Sequence, residues 1–502
     1  MVANVLTCLL RGLEAVLVEV QADIAPGGPA FSLVGLADTR VKEARARVRA
    51  AIRNSDLTFP SGSRLTVNLA PADLPKEGVA FDLPIAVAIA LAQLGRGCPP
   101  ATAFLGQLGL DGGVRHADGV LVAAQALRAA GVARLFVPTE DAAEAALVAG
   151  VDVLPTPSLA AAMRHLCGEE WLPVHPHVSP VAPARSMNGD DLVEVHGQLA
   201  ARRALEVCAA GGHHLLLSGP PGAGKTMIAR CLPGILPPLE LAEAMEVTRV
   251  ESIIGALGPE PLRWERPFRS PHHSISTAGL VGGGTGLGRP GEITRAHLGV
   301  LFLDELAEFS GSALQALRQP LELGSVTITR SQGTVVFPAR FQLVAATNPC
   351  PCGRLGEERP GCRCSPRAIE AYQRTLSGPL LDRIDLRVNV TRPPLAAFAG
   401  QPKGEPSAAV RERVIAARRR QLERQERLNS SLRPADLRRH APLGSARGVL
   451  ERWAAERGMS GRGFHRSWRV ARTLADLAGR ETISADDVLE ALGYRVELGA
   501  AA

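Results

Sequence analysis

The sequence predicts an α/β protein built on a P-loop core, and three stretches carry that prediction. "HLLLSGPPGAGKTMIARCLPG" reads as an apolar strand, a glycine loop and a short helix stopped by Pro233 and Gly234. "GVLFLDELAEF" reads as a hydrophobic strand ending in two carboxylates. "FQLVAATNP" reads as a third strand ending in Asn348, which in a parallel sheet would lie beside the glycine-loop strand.

At 502 residues the chain exceeds one ordinary core, and since domains cluster at roughly 100–200 residues, two to four units are expected. Residues 1–168 alternate β-like runs with Ala-rich helical runs, as in "FSLVGL", "VKEARARVRAAIR", "RLTVNLAP" and "FDLPIAVAIALAQL", the pattern of an α/β or α+β domain. Residues 169–190 are proline-rich and without periodicity, as a linker is. The core spans 191–395, and 396–502 turn helical and basic, as a C-terminal helical bundle.

The opening "MVANVLTCLLRGLEAVLVEV" meets Arg11 and Glu14 before an apolar secretion core could form. "VAFDLPIAVAIALAQLG" is interrupted by Asp82 and Pro84 and falls short of the roughly 20 apolar residues a bilayer demands. A cytoplasmic protein with no membrane partner is therefore expected, with its nine cysteines kept as thiols. The net charge of +6 points only weakly to a polyanionic partner.

Gly219, Pro220, Pro221, Gly222, Ala223, Gly224, Lys225 and Thr226 match G-x-x-x-x-G-K-[ST] at every fixed position. In that arrangement backbone N–H groups surround ATP phosphates, Lys225 reaches the β and γ oxygens, and the Thr226 hydroxyl binds Mg²⁺. The second strand delivers Asp304 to the same metal and places Glu305 to polarise the attacking water. Asn348 presents an amide to the γ-phosphate or the water. In "SGPLLDRIDLRV", Arg383 is placed to stabilise transition-state charge on a phosphate, and if it acts in trans it demands an oligomer. The plainer reading pairs Arg383 with Asp382 or Asp385 on a surface.

Cys350, Cys352, Cys362 and Cys364 form two C-x-C pairs within residues 350–364. Four thiolates suit a tetrahedral structural Zn²⁺, with a redox-sensitive dithiol pair or unligated thiols as the alternatives. Two basic loops could grip a nucleic-acid backbone. One is the hairpin "SVTITRSQGTVVFPA", with Arg330, Ser331 and Gln332 at its tip. The other is "RPFRSPHHSISTAGLVGGG", with Arg266, Arg269, His272 and His273. Four Trp and two Tyr leave few stacking platforms, so backbone grip is favoured over base reading. Intersubunit salt bridging is the alternative for both loops, and the two histidines lack partners for a metal.

"GPPGAGKT", "GVLFLDE", "ATNPCPCG", "SGPLLDRIDL", "RPFRSPHHSISTAGLVGGG", "RPGEI" and "GFHRSWRVARTLADL" together make the sequence resemble the ComM/YifB family of Mg-chelatase-like AAA+ ATPases along practically its whole length. The resemblance implies an AAA+ core with a C-terminal helical lid, preceded by a Lon-protease-like (ribosomal S5-like) domain. It implies ATP-dependent hexameric rings that act on DNA, as branch-migration helicases on recombination intermediates in natural transformation. It assigns Asn348 as sensor 1, Arg383 as the trans arginine finger and Arg462 as the sensor 2 arginine, with Arg466 its rival. The Ser–Lys dyad of Lon proteases is missing, since Val79 stands where the Ser would be, and Leu121 and Val122 where the Lys would be. Lys76 is expected to be a surface charge. The alternative function is a MoxR- or chelatase-type ATPase remodelling a protein client.

Overall fold

The computed structural model describes residues 2–36, 39–76, 80–183, 190–258, 260–284, 288–330, 333–356, 361–376, 378–392 and 404–495. Val79, Ser331 and Gln332 lie outside these residues.

The first part is a mixed sheet packed on a buried helix. Strands β1 (Val2–Arg11) and β2 (Glu14–Ala25) form a long antiparallel hairpin; β2 buries alternate residues Val18, Val20 and Ala22, while β1 buries Thr7, Cys8 and Leu9 in succession because its later half is covered on both faces. With β3 (Ala30–Val34), α1 (Thr39–Asn54), β4 (Arg64–Ala70), α2 (Asp82–Leu94), β5 (Thr102–Phe104), α3 (Val120–Ala129), β6 (Arg134–Pro138) and β7 (Asp152–Thr156), the sheet runs β3-β4-β2-β1-β5-β6-β7. The stretch that reads as nearly a membrane span is α2. It is apolar on all sides because it lies inside the protein, every residue from Asp82 to Ala92 being buried. Its buried carboxylate, Asp82, is offset by a two-armed bond from Arg47 at 2.7 and 3.0 Å. Among the described residues no helix is long and apolar enough to cross a membrane. Leu121 and Val122 are buried apolar residues of α3. Lys76 corrects the sequence expectation of a surface charge, for it is fully buried and donates to the Pro71 carbonyl. Burial draws its ammonium below the ordinary lysine value against the pull of Asp73.

The second part is a parallel sheet. Helix α4 (Leu199–Gly211) precedes strand β8 (Leu215–Ser218) and helix α5 (Lys225–Arg230), followed by α6 (Leu241–Ile253), β9 (Phe268–Arg269) and β10 (Val300–Leu303). Helix α7 (Arg318–Leu323) then leads into the hairpin β11 (Ser325–Arg330) and β12 (Gly333–Pro338), and the chain returns through β13 (Gln342–Thr347) and β14 (Leu386–Asn389). The order is β9-β10-β13-β8-β14, with every pairing parallel, so the glycine-loop strand lies beside the Asn348 strand, with Ser218 opposite Thr347. Completely buried strands such as β8, β10 and β13 explain the uninterrupted apolar runs in the sequence. Beyond residue 404 the chain is helical: α8 (Ser407–Gln425), α9 (Pro434–His440), α10 (Arg447–Glu456), α11 (Gly461–Leu477) and α12 (Ala485–Gly493) share one apolar cluster with β8 and β14.

The two parts meet at specific points. The backbone N–H of Gly119, ahead of α3, donates to Ser252 of α6 at 2.9 Å, and the Ser252 hydroxyl donates to the buried Glu144 at 2.6 Å. The β1–β2 turn leans on the hairpin: a side chain at Gly12 would overlap Val335, and Leu13 packs into the apolar cluster beneath β11 and β12.

Candidate nucleotide site and cysteine cluster

Parallel strands deliver their C-terminal ends to one edge of a sheet, and three of them bring the motifs together there. The Lys225 ammonium, 9% exposed, donates to the carbonyls of Gly219 and Pro220 at 2.6 and 2.9 Å and to Asn348 Oδ1 at 3.1 Å. All three donors rest on neutral oxygens, partners that charged phosphate oxygens outcompete. Burial pulls this ammonium below its usual range, opposed by the charges of Asp304 and Glu305. Thr226 Oγ1 donates to Asp304 Oδ2 at 2.8 Å, so the hydroxyl and carboxylate required for Mg²⁺ already adjoin. Asp304 Oδ1 accepts the Glu305 backbone N–H at 2.9 Å, and Glu305 takes a left-handed backbone with φ of 51° that turns its exposed carboxylate out of the strand.

Several partners of this pocket carried no signal in the motifs. His273 Nδ1 stands 3.3 Å from Glu305 Oε2. Gln198 reaches the Ala223 carbonyl at 3.3 Å, and Arg392 the Pro221 carbonyl at 3.1 Å, so both cover the outer rim of the glycine loop. The only hint was indirect, for His273 lies in a glycine-rich stretch already singled out for its charge.

The other predicted residues divide. Arg383 is 13% exposed and contacts Glu322 of α7, while Asp385 belongs to Arg466. Arg462 is exposed on the first turn of α11, whereas Arg466 is committed to Asp385 and the Arg383 carbonyl. The expectation that Arg266 contacts DNA is corrected by its surroundings. Its guanidinium is 9% exposed and donates to the carbonyls of Pro237 and Leu298 at 2.6 and 2.7 Å and to Glu243 at 3.0 Å. Arg269 is held by both oxygens of Glu292 at 2.6 and 2.9 Å. Arg330 stays exposed near the hairpin tip, beside Gly283.

Directly after Asn348, the four cysteine sulfurs converge, all within 4.8 Å of one another. Cys350 lies 3.4 Å from Cys352 and 3.7 Å from Cys362, and Cys352 lies 3.6 Å from Cys362. A disulfide needs about 2.05 Å, whereas sulfurs bound tetrahedrally to zinc at about 2.3 Å stand about 3.8 Å apart. Backbone N–H groups of Arg363 and Arg354 draw the Cys352 thiol down to about 6, while Cys362 and Cys364 are pushed up, so the four sulfurs share one favoured thiolate and it is their geometry that suits a metal. The donor set therefore fits a closed structural zinc site. The cluster abuts the glycine loop, since Gly353, with φ of 76°, packs so closely that a Cβ there would come within 2.5 Å of Pro221 Cδ.

Three families match successive parts of the chain: subunit ChlI of Mg-chelatase over residues 20–141, magnesium chelatase, subunit ChlI over 191–397, and magnesium chelatase, subunit ChlI C-terminal over 404–495. The chain is 45% identical to an uncharacterised protein of Mycobacterium tuberculosis over 97% of both chains. It is 43% identical to the uncharacterised protein YifB of Salmonella typhimurium and 42% identical to the competence protein ComM of Haemophilus influenzae, each over 96% of this chain and 95% of the relative. A shorter similarity, 27% identity over 36% of both chains, is to Lon protease 2 of Bacillus subtilis.

Proposed function

Because the chain belongs to the ComM/YifB family of magnesium-chelatase-like AAA+ ATPases, we propose that it is a hexameric DNA motor that couples ATP hydrolysis to branch migration of recombination intermediates, in the service of DNA uptake. The observation that carries the ATPase part is the convergence of Lys225, Thr226, Asp304 and Asn348 on one sheet edge. Lys225 and the loop amides hold the phosphates of ATP, and Thr226 and Asp304 hold Mg²⁺. Glu305 accepts a proton from the attacking water, Asn348 orients it, and Arg383 enters a neighbour's pocket as charge develops. Mg²⁺ neutralises charge on the transferred phosphoryl group when bound. The four cysteines hold a structural zinc that fixes the wall of this pocket. For DNA, the support is the exposed Arg330 on the β11–β12 hairpin.

A second reading, a remodelling ATPase with a protein client, is favoured by the internal commitment of Arg266 and Arg269, which removes two of the guanidinium groups a DNA channel would use. Titrating the purified protein against a labelled four-way junction at increasing salt, then adding ATP, separates the two. The DNA motor requires binding that weakens steeply with salt, and ATP-driven junction resolution. No binding at low salt leaves the protein client standing.

A further inference from the structure

We propose that Asp385 and Arg466 form a clamp that positions Arg383 for the neighbouring subunit's nucleotide, a role that rests on the reading of Arg383 as the trans finger. Asp385 is 3% exposed and sits just before β14. Its Oδ2 accepts the backbone N–H of His214, at the entry to the glycine-loop strand, at 3.2 Å, and faces His213 Nδ1 at 3.5 Å. Its Oδ1 accepts from Arg466 Nη1 of the lid helix α11 at 2.9 Å, and the same nitrogen donates to the Arg383 carbonyl at 2.6 Å. One guanidinium nitrogen thus bonds both a carboxylate anchored at the entry to the glycine-loop strand and the peptide that carries the finger.

The neighbouring peptides are held in the same manner. Arg387 donates to the Leu381 carbonyl at 2.9 Å and Arg495 to the Ile384 carbonyl at 3.3 Å, so the carbonyls of 381, 383 and 384 all end on guanidinium groups. Arg466 stands one helical turn after Arg462, so the two share a face of α11. The lid helix is therefore coupled directly to the Arg383 peptide through Arg466. Burial works to raise the Asp385 carboxyl, but the Arg466 charge and the neighbouring His213 outweigh it and hold the group below the ordinary carboxylate range. Such a clamp matters for rate because displacing a reacting group by about 1 Å costs on the order of 10²-fold.

The test uses Asp385→Asn and Arg466→Gln in the full chain, with ATP turnover and the affinity for a fluorescent ATP analogue measured on each. The clamp requires kcat to fall at least about tenfold while analogue affinity stays within about threefold. It also requires Arg383→Ala with Asp385→Asn to be no slower than Arg383→Ala alone. Mixing Asp385→Asn with Lys225→Ala protein under subunit exchange should recover part of the activity, since the defect lies in the next pocket. Losses that multiply in the double variant, or affinity that falls together with kcat, overturn the clamp. Should Asp385→Asn fail to fold, Arg466→Gln decides alone, and normal turnover there overturns it. Normal turnover of Arg383→Ala refutes the finger and the clamp together, whereas a slow Arg383→Ala beside a normal Asp385→Asn refutes only the clamp.

Discussion

Two loops leave the same edge of the core sheet from neighbouring strands, and they are ordered by opposite means. The glycine loop after β8 folds around its own cation, with Lys225 bonded to the carbonyls of Gly219 and Pro220. The cysteine loop after β13 is organised by four sulfurs facing one another. One is shaped to receive an anion, the other to enclose a cation. They touch where Gly353 meets Pro221. A loop that must exchange ligands every turnover is held by hydrogen bonds from its ammonium to neutral oxygens, each worth about 1.5–3 kcal/mol net. The wall beside it offers four sulfurs to a metal, and a structural zinc held there, as proposed, would supply about 10 kcal/mol or more.

The largest effect expected is on the glycine loop. Lys225→Ala should reduce ATP hydrolysis by at least about 10²-fold and abolish analogue binding, with zinc content unchanged by elemental analysis. Loss of zinc as well would show that the two loops do not fold separately. Next comes the cysteine loop, where wild-type protein purified without added metal should carry about one zinc per chain. Cys350→Ser with Cys352→Ser should lose that zinc and melt roughly 5–10 °C lower in a calorimetric scan. Zinc near zero in reduced wild-type protein removes the cation half of the comparison.

The contact between the loops is tested by Gly353→Ala, which adds about 1 kcal/mol of backbone strain and a Cβ against Pro221. The KM for ATP should rise roughly threefold to tenfold with zinc retained, and an unchanged KM would mean that the two walls move independently. The smallest effect on hydrolysis itself belongs to the hairpin. Arg330→Ala with Gln332→Ala should leave DNA-free turnover within about twofold while lowering the stimulation by DNA. Equal loss of both rates would assign the hairpin to folding.

The nucleotide pocket was legible because its requirements are local. A phosphate loop needs glycines at fixed spacing after a buried strand, and Gly219, Gly224, Lys225 and Thr226 announce that spacing within eight residues. The cysteine site was legible for a related reason, since two C-x-C pairs bracket one loop, although their closeness to Pro221 was not. Lys76 was misjudged because an isolated lysine in a polar stretch carries no mark of the Pro71 carbonyl that receives it. His273 was noticed for its charge, but its approach to Glu305 depends on how a glycine-rich segment folds back over β10.

The sequence by itself determined the three strand ends, the glycine loop, the four thiols and the helical C-terminal region, all properties of short segments whose periodicity or spacing is complete within a few residues. Tertiary structure alone decided which charges are spent inside the chain and which stay exposed. Arg266 reads as a surface cation until Glu243 and the Leu298 carbonyl close on it, while Arg330 on the hairpin stays exposed. Asp385 finds Arg466 across 81 residues of chain. The same guanidinium serves either end, and only the folded path of the backbone brings a carboxylate within 3 Å of it, because ionic pairing is fixed by distance in space and has no period along the chain.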